Sequence, residues 1–160
     1  MYDFAPRGDQ PKPELYADLA AAARALVEGE PDGIANMANL AALIWQFVPD
    51  LNWAGFYRNL QDELVLGPFV GKPACIRIPF GQGVCGAAAA SGETQVVPDV
   101  HAFPGHIACD ADSRSELVVP VIREGRVIAV IDLDSPTAGR FDEADAAGMQ
   151  TLAGIVANAI

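Results

Sequence analysis

Glu116-Leu-Val-Val-Pro-Val-Ile-Arg123 and Arg126-Val-Ile-Ala-Val-Ile-Asp-Leu-Asp134, separated only by Glu124-Gly125, spell two long strands and the turn between them. β-Branched residues dominate both runs, and an acidic residue followed by glycine suits the positive φ angles of a two-residue hairpin turn. Counting outward from the turn brings Glu116 into register with residues 132–134 to within a residue or two. Asp132 and Asp134 flank Leu133, so the pleat sends both carboxylates to one face of the sheet. Three carboxylates at one sheet end repel one another unless they share protons, bind a cation or face a polar ligand. The plain alternative is a solvated hairpin end.

Working outward, residues 51–60 and 63–70 form a second strand pair, and shorter strands are expected at 74–78 and 94–97. Helical spacing of Leu15, Leu19 and Leu26 predicts a helix over 15–28, stopped by Gly29. A second helix is expected over 32–47, and the run Pro49-Asp50 ends it. A glycine-rich loop leads into a short helix at 84–90, and Asp142 caps a last helix that runs to the C-terminus. Residues 98–113 lack periodicity, and a loop of that length inside a compact domain is usually functional. The expected architecture is one α+β domain over 1–160: leading helices in 1–50, then a central antiparallel sheet, active-site loop and final helix in 51–160. Helices are expected on one side of the sheet.

Composition narrows the function. The 160 residues are 51% hydrophobic and 19% charged, a globular balance. With 10 basic against 21 acidic residues, the formal charge is -11, and no basic cluster exists to displace counterions from a phosphate backbone. Nucleic acid is therefore not an expected partner. No uncharged run reaches the ~18 residues of a spanning helix. The polar start, Met1 to Gln10, has no apolar leader segment, and the expected location is the cytoplasm.

The three cysteines, Cys75, Cys85 and Cys109, form no C-x-x-C pair, which removes zinc ribbons and thioredoxin-type motifs. Gly81, Gly83 and Gly86 spell G-x-G-x-x-G, but the parallel crossover and following acidic residue of a dinucleotide site are missing. A backbone cradle for an anion at that helix start stays open. His101, His106 and Cys109 have the residue types of a zinc site without its paired short spacings, and no metal is expected. Cys109, on a polar loop, has the setting of a thiolate nucleophile, although acidic neighbours oppose its ionisation.

Four stretches then carry a resemblance: Gly71 to Gly86, Asp99 to Asp110, Ser115 to Pro120, and Ile131 to Ser135. They resemble the free methionine-(R)-sulfoxide reductases, single GAF-domain enzymes, over nearly the whole chain from about Asn52 onward. The resemblance implies a GAF-like fold and thiol-dependent reduction of free methionine (R)-sulfoxide, with no bound cofactor. Thioredoxin, fed from NADPH, would restore the enzyme. It implies that Cys109 attacks the sulfoxide and that Cys75 and Cys85 are the two that can resolve it, Cys75 being the usual partner. Glu116, Asp132 and Asp134 match the carboxylates that hold the sulfoxide, and Trp53 and Tyr57 match aromatics around its methyl group. The apolar leading helices suit a homodimer. The competing reading is a non-catalytic GAF module that binds a small ligand or dimerises.

Overall fold

The computed structural model describes residues 3–107 and 110–160. Its centre is a six-stranded sheet: β1 (Trp53–Asn59), β2 (Glu63–Gly71), β3 (Arg77–Pro79), β4 (Gln95–Val97), β5 (Ser115–Arg123) and β6 (Arg126–Ser135). The order across the sheet is β3-β2-β1-β6-β5-β4, and every pairing is antiparallel. Both hairpins close through paired positive φ angles, at Gln61 (61°) and Asp62 (63°) and at Glu124 (52°) and Gly125 (76°). That is the backbone of a two-residue turn whose twist matches the flanking strands.

Alternation along the central strands builds two cores. Ala54 and Phe56 on β1, Leu117, Val119 and Val121 on β5, and Ala129, Ile131 and Leu133 on β6 face one way. They pack beneath α1 (Lys12–Val27), α2 (Gly33–Phe47) and α4 (Glu143–Val156). The expectation of helices on one side describes these three. The fourth, α3 (Gly83–Ser91), lies on the opposite face, over Val118, Val130 and Leu64. Its Gly-Ala composition carries no amphipathic stripe that could have declared a side, and Gly86 lets it sit hard on the preceding loop. A Cβ at that position would lie 2.5 Å from the Pro79 carbonyl oxygen.

Helix ends follow the sequence signals. Asp32 caps α2 through Ala35 N–H, and Asp142 caps α4 through Ala144 and Asp145 N–H in a reciprocal capping box. α1 begins three residues before the expected start because Pro13 is tolerated in a first turn. The strand expected over 74–78 is shorter and later, at Arg77–Pro79, and the long loop contains one turn of 3-10 helix, Val100–Ala102.

α1 and α4 are locked by a buried carboxylate. Asp145, fully buried, accepts from Tyr16 Oη (2.8 Å), Lys12 Nζ (2.6 Å) and Arg140 Nη1 (3.2 Å). The Tyr16 ring occupies the space above Gly148, where a Cβ would come within 2.1 Å of the ring. This anchor stands on the helical face of the sheet, away from the carboxyl cluster.

Candidate active site

On the α3 face, the β1–β6–β5 ladder sets a row of side chains. Trp53 stands opposite Asp134, and Asp134 stands opposite Glu116; one pair further along, Gly55 faces Asp132. Tyr57 follows on the same face of β1, since residues two apart share a face. The expected carboxylates therefore do meet, and Glu116 and Asp134 are direct partners. They line a cavity with Trp53, Tyr57 and Cys85 on its inner side and Lys72, His106 and Asp110 toward its mouth.

The aromatic cluster around Trp53 contains a residue that alternation alone would misplace. β2 bulges against β1 between Gly55 and Tyr57, adding a residue near Pro68. The extra residue lets Leu66 and Phe69, three apart, reach the same core. Phe69 stacks on Trp53 at 5.2 Å between ring centroids, and Tyr57 stacks on Trp53 at 5.8 Å. Gly55 makes this fit, because a Cβ there would lie 2.4 Å from Phe69 Cβ. The Pro68 and Gly55 positions were the available signals, since both are weak strand formers that mark bulges and close approaches.

The polar ends of the same aromatics hold the cavity's rim. Trp53 Nε1 donates to the Lys72 carbonyl at 3.2 Å, and Tyr57 Oη donates to the Cys75 carbonyl at 3.0 Å. Burial, reinforced by the nearby Asp132, pushes the Tyr57 hydroxyl far up, so it stays a donor. At the mouth Lys72 pairs with Asp110 (3.4 Å) and Asp112. Asn52 donates to Asp110 (3.3 Å) and Ser113 (3.1 Å), while its own Oδ1 is buried without a partner among the described residues.

Electrostatics make the cluster protonated. Desolvation, then the charges of Asp132 and Asp134, pushes Glu116 well above the carboxylate range. Desolvation raises Asp132 to about 7 against the lowering pull of its bonds to Cys85 and Glu116; burial, then Asp132, pushes Asp134 well up. Glu116 and Asp132 are 7% and 5% exposed, so like charges without solvent must share protons. Asp132 Oδ1 is buried with no hydrogen-bond partner among the described residues, an acceptor that a ligand hydroxyl or ammonium could use.

The cysteines differ. Cys85 is a free buried thiol 3.8 Å from Glu116 Oε1. Position at the start of α3 favours a lowered thiol pKa through the helix dipole, but burial and then the Asp132 and Glu116 carboxyls push it well up instead. Cys75 is half-buried and disulfide-bonded. Cys109, the expected nucleophile, lies outside the described residues. Among the described residues, the one His, Cys, Asp and Glu grouping close enough to share an ion is Cys85, Glu116 and Asp132; it includes neither histidine. His101 and His106 meet edge to face at 6.2 Å.

The cavity thus has an apolar aromatic wall, a proton-bearing carboxyl floor and, at the α3 start, the N–H groups of residues 83–85 that no helical turn satisfies. The chain is similar to several known proteins. The GAF domain family model matches residues 37–160. The free methionine-R-sulfoxide reductase of Escherichia coli is 50% identical over 141 residues, covering 88% of this chain and 86% of that protein. The enzyme of the same name from Saccharomyces cerevisiae is 43% identical over 153 residues, 91% of this chain and 85% of its own. The crystal structure of free methionine-R-sulfoxide reductase from Neisseria meningitidis in complex with its substrate superposes with a TM-score of 0.94 at 45% identity, covering 99% of this chain and 95% of that one.

Proposed function

Because the chain belongs to the free methionine-R-sulfoxide reductases, a group of GAF domain proteins, we propose that it reduces free methionine (R)-sulfoxide to methionine through Cys109. Membership makes it an oxidoreductase. The observation that carries the mechanism is the trio of buried Glu116 and Asp132 with half-buried Asp134, which keeps protons beside Trp53. A sulfoxide sulfur accepts a thiolate only as its oxygen takes a proton or a strong hydrogen bond. The trio supplies that donor near neutral pH, as carboxyls of a solvated hairpin end could not.

In the proposed sequence the Cys109 thiolate attacks sulfur and a carboxyl proton goes to oxygen. Methionine leaves and Cys109 remains as sulfenic acid. The Cys75 thiol attacks that sulfur, expelling water and forming the Cys75–Cys109 disulfide. A dithiol then donates two electrons and returns both thiols. The disulfide-bonded state of Cys75, against the free, buried Cys85, supports Cys75 as the resolving cysteine. Trp53 and Tyr57 offer the S-methyl group an apolar slot, with Phe69 stacked on Trp53. The α3 N–H groups and Lys72 supply the positive side that an amino-acid carboxylate needs.

Thioredoxin as the dithiol, a cytoplasmic location, and a homodimer through the leading helices complete the proposal. The last draws support from Ile34 and Trp45, both exposed on α2. No helix among the described residues is long and apolar enough to cross a membrane. The test is methionine release from each sulfoxide epimer by the reduced protein with dithiothreitol. Release from the R epimer alone is expected; binding without release would instead mean a non-catalytic GAF module.

A further inference from the structure

Resting on the reductase reading above, we propose that residues 75–77 form the docking edge for a protein dithiol, with Ile76 its apolar contact and Cys75 Sγ the atom it attacks. β3 is an outermost strand, hydrogen-bonded only to β2. The Ile76 carbonyl accepts from Leu66 N–H at 2.9 Å, so the pairing with β2 reaches one residue past the start of β3. Alternation then turns the backbone N–H and C=O of Arg77 outward, where an extended segment of a partner can pair with them. The Arg77 side chain, which would otherwise guard that edge, is drawn along β2 by its ion pair with Glu63.

Ile76 is 68% exposed, more than any other large hydrophobic residue among those described. A lone exposed isoleucine is ordinary on a protein surface. This one adjoins the half-buried disulfide cysteine, on the segment that Trp53 and Tyr57 pin in place through the Lys72 and Cys75 carbonyls. The other described thiol, Cys85, is buried and offers no access.

Chemistry selects the same sulfur. In thiol–disulfide exchange the better leaving group is the thiol of lower pKa. The cysteine that attacks the sulfoxide must be the more readily ionised of the pair, so it is the one to expel. The reductant's thiolate therefore bonds to Cys75 Sγ, the Cys75–Cys109 bond breaks, and Cys109 departs as thiolate. The reductant's second thiol attacks its own sulfur in the mixed disulfide, releasing Cys75. Two electrons pass from the dithiol, which ends as a disulfide, and its two protons go to the released thiolates.

The experiment compares two reductants on the full chain: thioredoxin with its NADPH-linked reductase, and dithiothreitol. Ile76→Asp is expected to raise KM for thioredoxin at least about tenfold, the effect of losing one strong interface contact, while leaving dithiothreitol-driven turnover within about twofold. Val96→Asp, at a 40% exposed site on the far edge strand, is the control expected to change neither. A thioredoxin lacking its second thiol should accumulate as a mixed disulfide mapping to Cys75. An unchanged thioredoxin KM, an equal loss with both reductants, or a mixed disulfide on Cys109 would overturn the proposal. Failure of the wild type to release methionine with dithiothreitol would instead sink the reductase reading itself.

Discussion

The Tyr57 hydroxyl donates to the Cys75 carbonyl at 3.0 Å, joining the aromatic wall of the cavity to the backbone of the disulfide-bonded cysteine. In the proposed mechanism one side chain thus contributes its ring to the substrate slot and its oxygen to the placement of the recycling segment. Tyr57→Phe keeps the ring and removes the bond. It is expected to leave the first methionine released unchanged and to slow steady-state turnover about three- to tenfold, the worth of one hydrogen bond. Rapid-quench measurement of first and later turnovers checks this; equal slowing of both would place the hydroxyl in the sulfoxide step.

The carboxyl trio predicts opposite effects on activity and stability. Asp134→Asn and Glu116→Gln preserve shape but cannot transfer a proton, and each is expected to lower turnover at least about tenfold. Turnover should also fall as pH rises through about 7, where Asp132 loses its proton. For stability the sign reverses the usual carboxylate case. The folded state holds protons that the unfolded chain releases near its ordinary value of 3.8, so stability declines as pH rises from there through about 7. Asp132→Asn removes that loss, and its Tm at pH 8 should exceed wild type by about 3 °C or more. Calorimetry at pH 5 and pH 8 decides it: a gain no larger at pH 8 than at pH 5 contradicts the protonated cluster.

Gly55 is expected to control the substrate slot without touching substrate chemistry. Gly55→Ala places a methyl 2.4 Å from Phe69 Cβ and 2.8 Å from the Pro68 carbonyl oxygen, backbone and branch point rather than a flexible tip. Overpacking of this kind costs about 1–3 kcal/mol, and relief requires Phe69 to leave Trp53. KM for methionine sulfoxide should rise more than kcat falls. A variant with wild-type KM and an unchanged Tm would show that the bulge can yield.

Asp145 tests the reverse separation. Asp145→Ala strips Lys12, Tyr16 and Arg140 of their shared partner, and breaking a buried charge network of this kind costs about 3–5 kcal/mol. Because the network lies on the helical face, KM at a temperature where the variant remains folded should match wild type. Urea unfolding and steady-state kinetics on the same sample separate the two effects.

The hairpin was the most legible part of the chain. Counting out from the two-residue turn brought Glu116 to within a residue of its partner, and a bulge between Val121 and Ile122 shifts that partner from Leu133 to Asp134. The pleat then assigned Asp132 and Asp134 to one face. What counting could not supply depended on packing. The side chosen by α3 follows from close approach at Gly86 rather than from a hydrophobic stripe, and Phe69 reaches Trp53 only because a bulge breaks the two-residue period. Cys85 shows the electrostatic limit. A helix start favours its thiolate by a local rule, but burial beside two carboxyls from distant strands outweighs that effect.

That reversal shapes the expectation for the three cysteines. Cys109→Ser should abolish even a single turnover, because a hydroxyl is a far weaker nucleophile than a thiolate. Cys75→Ser should release one methionine per chain and then stall at the sulfenic acid, which a dimedone-type probe labels. Cys85→Ser should continue through many turnovers: the Cys85 thiol is buried, held well above its ordinary range by desolvation and the Asp132 and Glu116 carboxyls, and free while Cys75 is disulfide-bonded. A thiol that cannot ionise attacks a sulfenic acid slowly. Peptide mapping of protein oxidised by one equivalent of methionine sulfoxide checks the assignment, with a Cys75–Cys109 bridge as the expected product. A Cys85–Cys109 bridge, or a Cys85→Ser variant that stalls after one turnover, would transfer the resolving step to the buried cysteine and require the carboxyl cluster to ionise it.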